Sequence, residues 1–263
     1  MKKSDDMKRA KMFDVYFDNY DFVDLLGFID QTIQEKRQSY ILTCNVDHLI
    51  KLRSDMEFKH VYSNAGAVVA DGMPIIWASR LLNNPLKQKV SGADLFHRLG
   101  ADFEQRKYKL FLLGSSSGVP ELAVKNLKTM YPDINVVGCY SPSYGFEQDE
   151  QENGYIVDML LDSKPDIVFV GVGAPKQEKW IYNHYHRYKA PISIGVGATF
   201  DFLSGAVKRA PDIMQKTGFE WFWRLAQEPR RLWKRYLIDD SKFLFMLTKE
   251  WIKHNERSQG GMK

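Results

Sequence analysis

The chain has 263 residues, 44% of them hydrophobic, which is enough to fill a core and excludes a disordered chain. Its two cysteines, Cys44 and Cys139, stand apart in apolar runs, which excludes a disulfide framework or Cys/His metal spacing and fits reduced thiols in the cytoplasm. The net charge of +4 is carried by residues 221–238, where Arg224, Arg230, Arg231, Lys234 and Arg235 face one acid, Glu228; this marks a local anionic partner.

Residues 1 to about 20 are polar and read as a frayed start without the apolar segment of a secretory signal. No apolar run reaches the ~18 residues of a membrane span. Short apolar runs then alternate with amphipathic stretches. Strands are predicted over Tyr40–Cys44, Ala67–Val69, Lys109–Leu113, Ile134–Val137, Ile167–Val170 and Ile192–Val196. Helices are predicted over Phe22–Arg37, Met56–Asn64, Pro74–Leu82, Ala93–Gln105, Val119–Met130, Asp149–Leu161 and Lys176–Tyr188. This alternation predicts an α/β fold with a doubly wound, mainly parallel, Rossmann-like sheet. Near residue 210 the strand signals stop and a helical stretch rich in Trp, Phe, Arg and Lys begins. The expected division is an α/β catalytic domain over 1–209 and a C-terminal helical appendage over 210–263.

Three strand-to-helix corners carry polar residues where open α/β sheets bind ligands. In TCNVDH, Thr43 and Asn45 share one face of a strand end. They suit sugar hydroxyls, or Asn45 simply caps the next helix. Asp47 and His48 read as surface or capping residues. In ADGMP, Asp71 is placed either as a general base or as a cap. In GVGAPKQEKW, Gln177 reads as a ligand for a sugar or amide, and Glu178 as a first-turn acid favoured by the helix dipole. FLLGSSSGVPE resembles a phosphate loop in kind but lacks GK[ST], so an ordinary turn is favoured, with contact to a nucleotide as the alternative. Asp201, between two phenylalanines, needs a partner or a task. Lys208 and Arg209 can neutralise a diphosphate or form plain ion pairs. There is no D-x-D pair, H-E-x-x-H, G-x-S-x-G or GxGxxG, which lowers hydrolase, zinc and dinucleotide readings and leaves no expected cofactor.

TCNVDHLIK, VVADGMPIIWASR, KVSGADLF, GVGAPKQEKW, GVGATFDFLSG, KRAP and FEWFWRLAQEPRRLWKRY together resemble, in order, the signature blocks of the WecG/TagA/CpsF glycosyltransferases, over roughly residues 40–238. The resemblance implies sugar transfer from a UDP-sugar to a polyprenyl-diphosphate-linked sugar in cell-surface polysaccharide or teichoic acid synthesis, with inversion. It implies Asp71 as catalytic base and Thr43, Asn45, Gln177 and Asp201 in the sugar pocket. Lys89 stands where the family usually has an arginine for the diphosphate, keeping the charge without the planar fork. The resemblance further implies that the appendage docks on the inner face of the plasma membrane and closes the site. Arg224, Arg231 and Arg235 would then join Arg209 as phosphate ligands. Trp233, Tyr236 and Leu237 beside these cations suit an anionic lipid surface, the alternative being packing into the body. No nucleic-acid motif accompanies the basic patch, and a homo-oligomer is left open.

The expected mechanism is metal-independent. The donor sugar is open among N-acetylmannosamine, glucose, glucuronate and galactose types. The alternative is a nucleotide-sugar-binding or membrane-docking module without turnover, should the lysine at 89 disable the site.

Overall fold

The structure is a computed structural model that describes residues 9–260, the side chains at 231, 255 and 257–260 excepted. Its sheet has six parallel strands: β3 (Ser39–Cys44), β4 (Ala67–Ala70), β5 (Leu110–Gly114), β6 (Val136–Tyr140), β7 (Ile167–Gly171) and β8 (Ile192–Gly195), in the order β4-β3-β8-β7-β5-β6. Apart from the edge strand β6, these are nearly continuous apolar runs, as strands buried on both faces must be.

Alternation divides their side chains between two cores. Tyr40, Leu42, Val68, Phe111 and Val170 pack against α2 (Val46–Lys51), α3 (Met56–Ser63), α4 (Met73–Leu81), α7 (Glu150–Ser163) and α8 (Lys176–Tyr188). Ile41, Val69, Leu112, Phe169 and Ile194 pack against α1 (Phe22–Gln34), α5 (Gly92–Gln105), α6 (Val119–Met130) and α9 (Thr199–Ser204). The doubly wound architecture expected from the sequence is present. Strand β6 begins two residues later than its apolar run suggested. Ile134 is buried in the preceding loop, where its N–H donates to the Tyr131 carbonyl, and the pairing starts at Val136.

The start of the described chain also differs from expectation. Residues 9–18 form an antiparallel hairpin, β1 (Arg9–Met12) and β2 (Val15–Asp18). Phe13 and Asp14 both have positive φ, the backbone of a tight two-residue hairpin turn. Alternation buries Ala10, Met12, Val15 and Phe17. The Asp18 carboxylate accepts the Val68 N–H at 2.8 Å on the outer edge of β4.

Beyond Ala210 the described elements are helical: α10 (Asp212–Lys216), α11 (Glu220–Gln227), α12 (Pro229–Trp233), a π-helical turn (Lys234–Asp239) and α13 (Lys242–Gly260). This tail packs on α2 through α13 and the π turn. Phe243 and Met246 are buried in the first core, Phe243 meets the Phe13 ring at 5.4 Å, and Leu232 is buried at the cavity wall. Phe219, Phe222, Trp233, Leu237 and Phe245 of the tail are exposed, Leu237 at the cavity.

Candidate active site

The carboxyl ends of β3, β4, β5, β7 and β8 open into one cavity of about 1230 Å³, roofed by the tail. Of the residues singled out in the sequence, Thr43, Asn45, Asp71, Lys89, Gln177, Asp201, Arg224 and Arg235 line it. Arg209 stands behind this lining, and the Arg231 side chain lies outside the described residues.

Asp71 occupies the corner between β4 and α4. Its N–H donates to the Cys44 carbonyl at 2.7 Å. Gly72, at φ 118°, then turns the chain into the helix, a conformation open to glycine and hard for other residues. The helix has no side-chain cap, so the Asp71 carboxyl is not its cap and faces the cavity. Burial pushes its pKa up to about 7, Glu220 and Asp94 add to the rise, and Lys89 and Arg224 oppose it. A carboxyl poised there exchanges a proton near neutral pH.

The cations beside it come as a cluster. Lys89 Nζ lies 3.2 Å from Asp94 Oδ2 and 3.5 Å from Glu220 Oε2. Arg209 pairs with the other Asp94 oxygen and approaches Glu220 Oε1 at 4.0 Å. Burial works against the Lys89 charge, but Asp94, Glu220 and Asp71 outweigh it and hold its pKa above the usual lysine value. Sequence reasoning missed Asp94 and Glu220. Asp94 was visible only as part of the KVSGADLF block. Glu220 comes from the tail, 131 positions from Lys89 in the numbering.

The tail brings two more guanidinium groups. Arg224 sits over the Phe202 ring at 5.5 Å with no hydrogen-bond partner at Nε. Arg235 Nη2 is 3.9 Å from Asp47 Oδ2, and its Nε is likewise unpartnered. Nearby Asp240 is pushed up to about 6 by burial, with one carboxyl oxygen unpartnered.

Asp47 and His48 are not surface residues. Both are buried: the tail packs on the helix that carries them and meets Asp47 through Arg235, and His48 points into the body against Phe58 and Tyr62. Asp47 holds Lys51 at 2.6 Å, and Lys51 also reaches the Ala174 carbonyl at 2.9 Å. His48 Nδ1 meets the Tyr62 hydroxyl at 2.6 Å, and burial lowers its pKa to about 3, which keeps the ring neutral.

Thr43 donates to the Gly195 carbonyl at 3.0 Å. Asn45 caps α2, its Oδ1 accepting the His48 N–H at 3.1 Å. Gln177 bridges two loops. Its Oε1 accepts from Gly173 N and Gly197 N, each at 3.1 Å, and its Nε2 donates to Glu178 Oε1 at 2.6 Å. Gln177 therefore fixes the loops after β7 and β8 against each other. Glu178 is wholly buried beneath it; burial lifts its pKa to about 7, and its second oxygen has no hydrogen-bond partner. Asp201, in the first turn of α9, accepts from the Ser115 hydroxyl at 2.6 Å. Ser115 and Ser116 both line the cavity, so the GSSSG loop belongs to the site.

A profile of the family described as Glycosyl transferase WecG/TagA/CpsF matches residues 10–257. The chain belongs to this glycosyltransferase family. A relative from Bacillus subtilis (strain 168), named as an N-acetylglucosaminyldiphosphoundecaprenol N-acetyl-beta-D-mannosaminyltransferase, is 34% identical over 230 residues, covering 86% of this chain and 87% of its own. A relative of the same name from Staphylococcus aureus (strain MW2) is 30% identical over 229 residues, covering 86% of each chain. The protein is a glycosyltransferase on a Rossmann-like sheet, of a family that includes enzymes named for transfer to a lipid-linked sugar. Among the described residues no helix is long and apolar enough to cross a membrane.

Proposed function

We propose that this glycosyltransferase moves a sugar from a UDP-sugar to a polyprenyl-diphosphate-linked acceptor, with inversion and without a metal ion. The relatives' names make N-acetylmannosamine the first donor sugar to try and N-acetylglucosaminyl-diphosphoundecaprenol the first acceptor. One observation carries the reading: Asp71, whose carboxyl caps no helix, faces a large cavity beside cationic side chains with its pKa near 7.

In this reading Asp71 takes the proton from an acceptor hydroxyl. The freed oxygen forms a bond to the anomeric carbon of the donor. The bond from that carbon to the UDP oxygen breaks on the opposite side, and its electron pair leaves with UDP. One displacement inverts the centre and needs no covalent sugar–enzyme intermediate. The charge gathering on UDP meets Lys89, Arg224 and Arg235, cations held ready in a partly dry site where they act strongly. Arg209 acts from behind, holding Asp94 and Glu220 in place around Lys89. Arg231 joins the phosphate ligands on the strength of the family resemblance. The exposed aromatic and basic side of the tail rests on the membrane that holds the acceptor.

The test is transfer from UDP-sugars to a short-chain lipid-diphosphate acceptor, by the wild type and by Asp71→Asn, with and without EDTA. General-base help is worth about 10²–10⁴ in rate, so Asp71→Asn loses at least that order at unchanged Tm. EDTA leaves the wild-type rate untouched. Because the base must be deprotonated, kcat/KM rises with pH and levels off above about 7. Near wild-type transfer by a folded Asp71→Asn enzyme removes Asp71 from the role, and loss of turnover in EDTA removes the metal-free mechanism.

A further inference from the structure

We propose that Trp77 is the surface on which the acceptor's sugar ring lies while its hydroxyl reaches Asp71. This rests on the lipid-linked-acceptor reading and names the residue that recognises the sugar of that acceptor.

A single exposed tryptophan is ordinary on a protein surface. This one is placed and held. It stands on α4, where its neighbours Ile75, Ile76, Ala78 and Ser79 are buried. The Ser79 hydroxyl pins the helix further, donating to the Ile76 carbonyl at 2.7 Å and accepting the Leu86 N–H at 3.1 Å. Trp77 is 46% exposed and lines the cavity together with Met73. The two are four residues apart, so they share one helix face, about 6 Å apart along the axis. Met73 opens the helix just after Asp71 and Gly72. The indole therefore stands one turn beyond the corner that carries the Asp71 carboxyl.

The tail fixes the ring. Helix α10 ends in a turn in which the Phe219 N–H donates to the Met214 carbonyl at 2.8 Å and Gly218 sits at φ 75°, a left-handed cap that favours glycine. A Cβ on Gly218 would collide with Trp77 Cη2 and Cζ2, so the backbone of this turn lies directly against the six-membered ring of the indole. The turn clamps one edge and leaves much of the ring open to the cavity.

Position and chemistry select the occupant. The acceptor hydroxyl must come within hydrogen-bond reach of Asp71, so the sugar that carries it lies against the wall beside that carboxyl. In-line displacement brings its oxygen to the anomeric carbon from the side opposite the UDP oxygen, so acceptor sugar and departing diphosphate need different walls. Lys89 and Arg224 suit the diphosphate, and Trp77 offers a phosphate nothing. A glucosamine-type pyranose carries its polar groups around the rim and bare C–H bonds on its faces. Such a face suits the electron-rich face of an indole and leaves the rim hydroxyls free, one of them for Asp71. The other use of an exposed tryptophan beside a membrane-resting tail is contact with the bilayer surface.

The experiment measures steady-state transfer by the full chain to a short-chain prenyl-diphosphate acceptor bearing N-acetylglucosamine, in solution without membranes. The same prenyl diphosphate without its sugar serves as an inhibitor competing with the acceptor. Wild type is compared with Trp77→Leu, apolar but not flat, and Trp77→Phe, which keeps a flat ring. Losing an aromatic anchor costs about tenfold or more in binding. Trp77→Leu therefore raises the acceptor KM by that factor and Trp77→Phe restores most of it. The donor KM, the inhibition constant of the sugarless diphosphate and pelleting with phosphatidylglycerol–phosphatidylethanolamine vesicles are the same in all three proteins. An acceptor KM equal in wild type and Trp77→Leu overturns the platform, and weaker vesicle pelleting beside that equal KM makes the ring a membrane contact instead. Equal losses for acceptor and sugarless inhibitor also overturn it, because the ring then serves the lipid or the diphosphate. A wild type that turns over UDP-sugars but transfers to no prenyl-diphosphate-linked sugar overturns the acceptor reading itself, and the platform with it.

Discussion

At the strand tips of the body, polar side chains are held by the protein: Thr43 by Gly195, Asn45 by His48, Gln177 by two loops, Asp201 by Ser115. The tail is different. Among the described residues, six buried side-chain nitrogen or oxygen atoms have no hydrogen-bond partner, and those in Arg209, Arg224, Arg235 and Asp240 all fall in the tail or at its threshold. Buried polar groups without partners cost free energy, so a chain keeps them where something else completes them. The body builds the shape of the cavity, and the tail supplies charge that the fold itself does not use up. Yet the tail is not a loose arm, because its apolar side belongs to the main core.

The sharpest attack on this contrast is Phe243→Ala. Phe243 is buried from the tail against Phe13 of the hairpin, and truncating a core phenylalanine costs about 3–5 kcal/mol. The whole protein then unfolds at a lower urea midpoint in one transition. A body that melts as in wild type would show the tail to be energetically separate. Arg224→Met comes next. If its guanidinium waits for the substrate diphosphate, its loss lowers kcat by about 10²–10³, the usual cost of one lost charge-stabilising donor. The Tm does not fall, since Arg224 has no hydrogen-bond partner at Nε to lose. A drop in Tm with full turnover would make it a structural residue.

The smallest effect probes one of the body's two exceptions, Glu178, the other being Glu147. Its pKa in the folded protein, about 7, lies above the ordinary 4.5. The folded state therefore binds more protons than the unfolded state between those values, and stability falls as pH rises through that window. Glu178→Gln lacks this loss and can still accept from Gln177 Nε2. The variant gains on the order of 3 kcal/mol over wild type at pH 8 and nothing at pH 4, read from urea midpoints. A pH-independent difference would mean that Glu178 is not the titrating group.

The sheet was legible because strands buried on both faces announce themselves as unbroken apolar runs between helical periods. The hairpin at residues 9–18 was hidden by its brevity and by a Phe-Asp turn in place of the usual Asn-Gly or Asp-Gly. At the site, the corner containing Asp71 could be read from local signals, since strand, glycine and proline follow one another in the chain. The pairing of Lys89 with Glu220 and of Arg209 with Asp94 could not, because ion partners distant in sequence are chosen by the tertiary fold. Asp47 and His48 were misjudged for the same reason: the tail lies down on their helix beside Asp47, and His48 packs on Phe58 and Tyr62 of the next helix. Gln177 reads from the sequence as a sugar or amide ligand, and only coordinates reveal the two glycine N–H groups it receives.

The carboxylate of Asp18 on the Val68 amide has a consequence beyond the hairpin. An open sheet margin invites a strand from another molecule, which is how soluble proteins begin to form fibres. Here a negatively charged acceptor already occupies one of the exposed donors, and the two short hairpin strands lie beside it. An intruding backbone would have to displace a charged bond and peel away Met12 and Phe17 before it could add a seventh strand.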